Sequence, residues 1–218
     1  FVENAVVHYQ GHKWMVGDVV GNHLMLIYNK EMLPSPPKNT DELIRIGKQL
    51  TRDLDGDGKI DQYGLVWNFT EPFFYAPWLG GFGGWLMNED NQPDLNTIEN
   101  QNGFAFIKAL QDEHKIIPKE CDYEIANAMF LNGTAAMIIN GDWSWGNYMG
   151  KVDFGIARLP KVSETGLWPT PIVSTKGYSI NSNINGEKLE EVKKLFRYLT
   201  SPEVQLIFTR HTNSQPSS

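Results

Sequence analysis

Asp122-Tyr123-Glu124-Ile125-Ala126-Asn127-Ala128-Met129-Phe130-Leu131-Asn132-Gly133-Thr134-Ala135-Ala136-Met137-Ile138-Ile139-Asn140-Gly141-Asp142-Trp143 is the stretch that decides the fold class. Asp122 reads as an N-cap, because its carboxylate can accept the unpaired amide hydrogens of a first helical turn. The helix it opens runs to about Leu131, and Asn132-Gly133 stops it. Ala135–Ile139 follows as a short apolar strand. Asn140-Gly141 turns the chain out of that strand, and Asp142 is expected to cap a short helix.

The same alternation continues on both sides. His8–Val16 reads as two short strands around a turn at Gln10-Gly11. A strand at Leu24–Tyr28 leads through the stiff Pro34, Pro36 and Pro37 to a helix with Thr40 as its expected cap. Asp41 and Glu42 suit the positive end of that helix, and Leu43, Ile46 and Leu50 give it an apolar stripe. A strand is expected at Tyr63–Trp67. Gly80-Gly81-Phe82-Gly83-Gly84 reads as a flexible turn. A helix is expected from Thr97 to His114, with Phe104, Ile107, Ala109 and Leu110 facing inward. Strands near Phe154–Leu159 and Ile172–Ile180 precede two last helices. The first carries Leu189, Val192, Leu195, Phe196 and Leu199; the second opens at Ser201-Pro202-Glu203. Strands alternating with helices of these lengths predict an α/β layered domain. The polar residues 212–218 are expected to leave it.

At 218 residues the chain can hold one large or two small cores. A hydrophobic share of 41% and a charged share of 21% are those of an ordinary globular protein. A net charge of −7 argues against a nucleic-acid or anionic-membrane surface. No apolar run approaches the roughly 20 residues of a membrane helix. Cys121 is the single cysteine, which excludes an internal disulfide and a multi-thiolate zinc site. The numbering opens at Phe1 with neither an initiator Met nor a signal pattern, so a preceding segment is expected to have been removed. Aromatic residues reach 12%; Trp67, Trp85, Trp143 and Trp145 stand directly beside Gly, Asn or Asp, and Trp78 lies two residues from Gly80. Aromatics in such company predict a binding face.

Three stretches carry chemistry. Asp53, Asp55, Asp57, Lys59 (through its carbonyl) and Asp61 occupy positions 1, 3, 5, 7 and 9 of a calcium-loop pattern, with Gly58 at position 6. Position 12, where a bidentate Glu belongs, is Gly64, so any calcium here is structural and weakly held. A solvated acidic turn is the competing reading. Asn68-Phe69-Thr70-Glu71-Pro72-Phe73-Phe74 lies just past a strand, where open α/β sheets place ligand sites. A carboxylate beside aromatic rings suits a sugar, whose hydroxyls need acceptors and whose C–H face needs a flat ring. A core-edge Phe pair with a capping Glu competes with it. Asn140-Gly141-Asp142-Trp143 leaves a second strand in the same way, and Glu71 and Trp143 are expected to converge on one open rim. A buried structural Trp is the alternative there, better suited to Trp145. Catalytic patterns are thin: Ser144 lacks the Gly-x-Ser-x-Gly spacing, and no His-Glu-x-x-His occurs.

Several stretches, in order, resemble the extracellular solute-binding proteins of sugar ABC importers, the maltose-binding-protein group. They are Leu26-Ile27-Tyr28-Asn29-Lys30-Glu31-Met32-Leu33-Pro34 with Pro36-Pro37 and then Thr40 opening a helix, Glu71-Pro72-Phe73-Phe74, Phe130–Met137 leading into Asn140-Gly141-Asp142-Trp143, and Tyr198-Leu199-Thr200-Ser201-Pro202-Glu203-Val204-Gln205. The resemblance implies one lobe of a periplasmic-binding-protein type II fold, a mixed sheet flanked by helices. It implies that residues 1–22 are the hinge and the edge of a missing first lobe, and 23–218 the second lobe. It further implies that Glu71 accepts sugar hydroxyls, that Phe73 and Trp143 stack on sugar rings, and that Asn22 and Tyr178 contact the ligand. Phe73 stands where the family often has Tyr, and Gly17-Asp18 where it usually has Pro. The implied partners are a sugar, most naturally an oligosaccharide, and the membrane permease subunits of an ABC importer, served by a monomer that is periplasmic or extracellular, free or lipid-anchored. Two rivals remain: a glycoside-active enzyme using Glu71 and Asp142, and a self-contained calcium-stabilised carbohydrate-binding module.

Overall fold

The computed structural model describes residues 5–212. The expected departure of residues 212–218 falls, beyond 212, outside them. In chain order the elements are β1 (Val6–Tyr9), β2 (His12–Gly21), β3 (Leu24–Asn29), α1 (Thr40–Leu50), β4 (Tyr63–Val66), α2 (Ala76–Gly81) and α3 (Ile98–Asp112). They continue with α4 (Tyr123–Leu131), β5 (Ala135–Gly141), α5 (Trp145–Tyr148), β6 (Phe154–Ala157), β7 (Ser174–Tyr178), α6 (Gly186–Leu199) and α7 (Pro202–Thr212). Single 3-10 turns span Pro72–Phe74 and Asp142–Ser144.

The chain divides into two compact units. The larger comprises Leu24–Gly141 and Asn147–Ile172; the smaller comprises the opening segment to His23, Asp142–Gly146 and the chain from Val173 onward. The expected span 23–218 is thus distributed over both, because β7 hydrogen-bonds to β2.

The larger unit is built on a mixed sheet in the order β4-β5-β3-β6. β5 runs parallel to β4 and antiparallel to β3, with Val66 opposite Ile138 and Leu26 opposite Ile139. All seven residues of β5 are buried, which requires cover on both faces and explains the unbroken apolar run. α4 begins as the sequence implies: the Asp122 carboxylate accepts from the Ile125 amide at 2.8 Å. α1 packs on β4 so closely that a β-carbon at Gly64 would stand 2.5 Å from the Gly47 Cα. The core includes Leu24, Leu26, Leu43, Leu65, Met137 and Ile139 from strands and α1, together with Trp67 and Trp78. The smaller unit holds the antiparallel sheet β1-β2-β7. Its hairpin turns at Gln10 and Gly11, both at positive φ (49° and 77°), as a two-residue turn matched to strand twist demands.

Several expectations are corrected. Trp67 and Trp78 are fully buried, so they belong to the core rather than a binding face. The cap of α1 is Asn39, whose side chain accepts from the Glu42 amide at 2.9 Å; Thr40 instead bonds Ser163. Phe104 is 40% exposed. The buried stripe of α3 is Asn100, Gly103, Ile107 and Leu110, because Gly103 lets α3 approach α2 to near contact with the Leu79 backbone. Gly80 and Gly81 end α2 and abut Thr170 and Pro169, so this glycine run is close-packed helix end before it turns. No residue of α6 is buried, and Leu195 on its expected apolar stripe is half exposed.

Candidate functional site

Because β4 and β5 are parallel neighbours, their carboxyl ends share one rim of the larger unit's sheet. The chain leaving β4 is tied down there. The buried Asn68 side chain accepts from the Thr70 amide and hydroxyl (3.0 and 2.7 Å), a local turn that sends the next residues outward. The Phe69 amide donates to the Cys121 carbonyl at 2.9 Å, and the Tyr75 hydroxyl donates back to the Phe69 carbonyl. Glu71, the next residue out, is exposed, and Pro72 fixes the first position of the 3-10 turn. Phe73 is half-buried and meets Phe74 edge-on at 6.0 Å, while Phe74 is sealed in the core. Glu71 is thus a carboxylate open to water, two residues from the half-buried ring of Phe73.

The chain leaving β5 enters Asp142 and Trp143, which group with the smaller unit. There Trp143, Asn22, Gly21, Asp142 and Lys176 line a cavity of about 250 Å³. Trp143 is 37% exposed, whereas Asp142 is only 7% exposed. The Asn22 amide donates to Asp142 Oδ1 at 3.1 Å, and Asn22 sits in the left-handed region at φ 64°. Two predicted residues, Asn22 and Trp143, are thus brought together. Tyr178 is not with them: its ring meets Phe196 at a tilt of 52°, centroids 5.6 Å apart, its hydroxyl faces Asp18, and it lines a separate groove with Trp14. Burial, aided by Asp18, pushes the Tyr178 phenol above its ordinary value. Asp142 as a partner of Asn22, and Lys176 in the cavity, escape the sequence reading. The one local signal is Gly21-Asn22 at a strand end, a pair that tolerates unusual backbone angles.

The acidic loop closes on itself. Asp53 accepts from the Gly56 and Gly58 amides at 2.7 and 2.9 Å, and these bonds hold its carboxyl below the usual range. Asp53, Asp55 and Asp61 bring one oxygen each within 4.8 Å of one another, while Asp57 pairs with the Lys59 ammonium at 3.1 Å. The structure also explains position 12: Gly64 lies in β4, where the backbone of α1 leaves no room for a side chain.

Cys121 is 3% exposed, and burial pushes its thiol up to about 11. At pH 8 only about one molecule in a thousand carries the thiolate, the form that reacts. A disulfide reagent should therefore leave Cys121 unlabelled in native protein and label it completely once urea unfolds the chain. Rapid labelling without denaturant would contradict its burial.

A family model described as bacterial extracellular solute-binding protein matches residues 4–218. Among curated proteins, the chain is 29% identical over 174 residues to the maltotriose-binding protein of Pyrococcus abyssi, covering 78% of this chain and 36% of that one. It is 27% identical over 205 residues to the maltodextrin-binding protein MdxE of Bacillus subtilis, covering 89% and 48%. Among solved structures it matches the maltose/maltodextrin-binding domain MalE of Bdellovibrio bacteriovorus bound to maltotriose, with a TM-score of 0.91 and 55% identity, over 100% of this chain and 57% of that one. The maltose-maltodextrin binding protein of Alicyclobacillus acidocaldarius, at 20% identity and a TM-score of 0.83 over 100% and 57%, shares the fold, a periplasmic-binding-protein type II architecture. The chain spans between about a third and somewhat more than half the length of these relatives.

Proposed function

The chain belongs to the bacterial extracellular solute-binding proteins, and from that premise we propose that it binds an oligosaccharide of the maltodextrin class for delivery to an ABC importer. The observation that carries this reading is the 55% identity, along the entire chain, to a domain solved with maltotriose. The chemistry agrees with it. Glu71 accepts hydrogen bonds from sugar hydroxyls, and Phe73 offers the apolar face of its ring beside them. In the smaller unit, Trp143 stacks on a sugar ring and Asn22 supplies an amide. Tyr178 contacts ligand from the neighbouring groove that it lines with Trp14.

In the longer protein two lobes close on the sugar, and the closed form, favoured only with ligand bound, is what the permease subunits recognise. The protein acts as a monomer outside the cytoplasmic membrane, free or lipid-anchored. It holds its ligand without turning it over. The test is an NMR titration with maltotriose, read at Glu71, Phe73, Trp143 and Asn22, beside an aryl-glycoside hydrolysis assay. Shifts at these residues without turnover are expected. No shift at any of them, or turnover lost in Glu71→Gln, would overturn the reading.

Calcium is proposed for the acidic loop in a structural role. Asp53, Asp55 and Asp61 would hold it with the Lys59 carbonyl, and Asp57 would have to exchange its ammonium partner for the ion. With no ligand available at position 12, binding should be weak. Raising free calcium to ten times its dissociation constant stabilises the fold by about 1.4 kcal/mol, or roughly 3–6 °C in Tm. Chelation should reverse that shift in the parent and have no effect in Asp53→Asn. An identical Tm with calcium and with chelator in the parent would remove calcium from the description.

A further inference from the structure

We propose that Asp142 is a positioning residue that holds Asn22 in the conformation needed to meet the ligand, an inference that rests on the sugar-binding reading above. The Asp142 carboxylate straddles the Gly21-Asn22 junction. Oδ1 accepts the Asn22 amide hydrogen at 3.1 Å, and a β-carbon at Gly21 would stand 2.1 Å from Oδ2. Asn22 takes a φ of 64°, a region that costs an L-residue about 1 kcal/mol or more and that Asn tolerates better than most. A charge-assisted bond from its own amide offsets that cost. Asp142 is 7% exposed, so its carboxylate is a fixed post at the cavity wall rather than a mobile surface acid.

The consequence is directional. A left-handed backbone aims its side chain in a different direction from an extended one, and Asn22 directly follows the end of β2. Without the carboxylate, residue 22 is free to relax to an ordinary extended angle, which withdraws its amide from the cavity it shares with Trp143 and Lys176. Gly21 is the second half of the device. Its φ is not in the positive range, so an Ala is allowed by the backbone, yet the added methyl occupies the place of the Asp142 oxygen.

Four variants of the chain test this: Asp142→Ala, Asp142→Asn, Gly21→Ala and Asn22→Gly. Maltotriose is titrated to about 100 mM while NMR follows the Trp143 indole and the backbone amide of residue 22, with amide hydrogen exchange measured in parallel. Asp142→Ala and Gly21→Ala should each weaken binding roughly tenfold, the worth of one good hydrogen bond. They should also cut the exchange protection of the Asn22 amide by a similar factor. Asp142→Asn keeps an acceptor oxygen and should stay within about threefold on both readouts. Asn22→Gly keeps the turn but removes the side chain, so it should lose affinity while its amide stays protected. Parent affinity that survives Asp142→Ala and Gly21→Ala unchanged overturns the positioning role alone. Equal losses in Asp142→Ala and Asp142→Asn overturn it too, by making the charge itself the contact. A parent chain that shows no maltotriose shift at all removes the sugar reading and this inference with it.

Discussion

Maltotriose is expected to bind this chain with a dissociation constant of about 1 mM, and at least a thousandfold more tightly once the remainder of the protein is joined to it. A complete two-lobed site of micromolar affinity gains about 8 kcal/mol, and half of that corresponds to about 1 mM. The halving is justified by what the chain presents. Glu71 stands open to solvent and Phe73 half-buried on the rim of one unit, and Trp143 and Asn22 line a cavity of only about 250 Å³ in the other. That volume lies below the roughly 300–1,000 Å³ of pockets that enclose a drug-sized ligand. Titration calorimetry on the longer protein and NMR titration on the chain would measure the two constants. Submicromolar binding by the chain itself would sink the half-site view and favour the self-contained carbohydrate-binding module.

Trp67→Ala is expected to cost about 3–5 kcal/mol, the range for removing a large aromatic side chain from a packed core. Trp67 is fully buried, stacked on Phe69 with ring centroids 4.6 Å apart, and 6.0 Å from Trp78. Against a total stability of about 5–15 kcal/mol, that loss lowers Tm by roughly 10 °C or more. Trp67→Phe should cost far less, about 1–2 kcal/mol. The Trp67 Nε1–H is buried with no acceptor among the described residues, so exchanging it for a ring without a donor removes an unpaired polar group along with some volume. Urea denaturation followed by circular dichroism would compare the two. Equal costs for Ala and Phe would contradict the stacked, unpaired geometry.

The Trp residues show where reading a chain in one dimension stops. Gly, Asn and Asp beside a Trp mark a turn, but they do not say whether the indole points out of it or back beneath the sheet. Trp67 stands between Val66 and Asn68 at the end of β4 and turns inward onto Phe69 and Trp78. Trp85 has the same kind of neighbours and is 43% exposed. The hydrogen-bond cap of α1 shows a milder form of the limit: Asn39 and Thr40 are both good cap residues, and the choice fell to the one not already bonded to Ser163. The candidate site divides along the same line. Glu71 with Phe73 was legible because carboxylate, proline and ring are adjacent in the chain. The Asn22–Asp142 bond was not, because 120 residues separate its ends.

What the amino-acid sequence determined by itself acts over a few residues. The Asp122 cap, the Gln10-Gly11 turn, most of the order of strands and helices and the exposed Glu71 turn follow from bonds and angles within one turn of chain. The tertiary structure alone decided that β7 returns to pair with β2, that Gly64 must lack a side chain against α1, and that Asp142 reaches Gly21 and Asn22. Those outcomes depend on which surfaces are free when distant segments meet, and packing at close approach leaves no trace in the spacing of neighbouring residues.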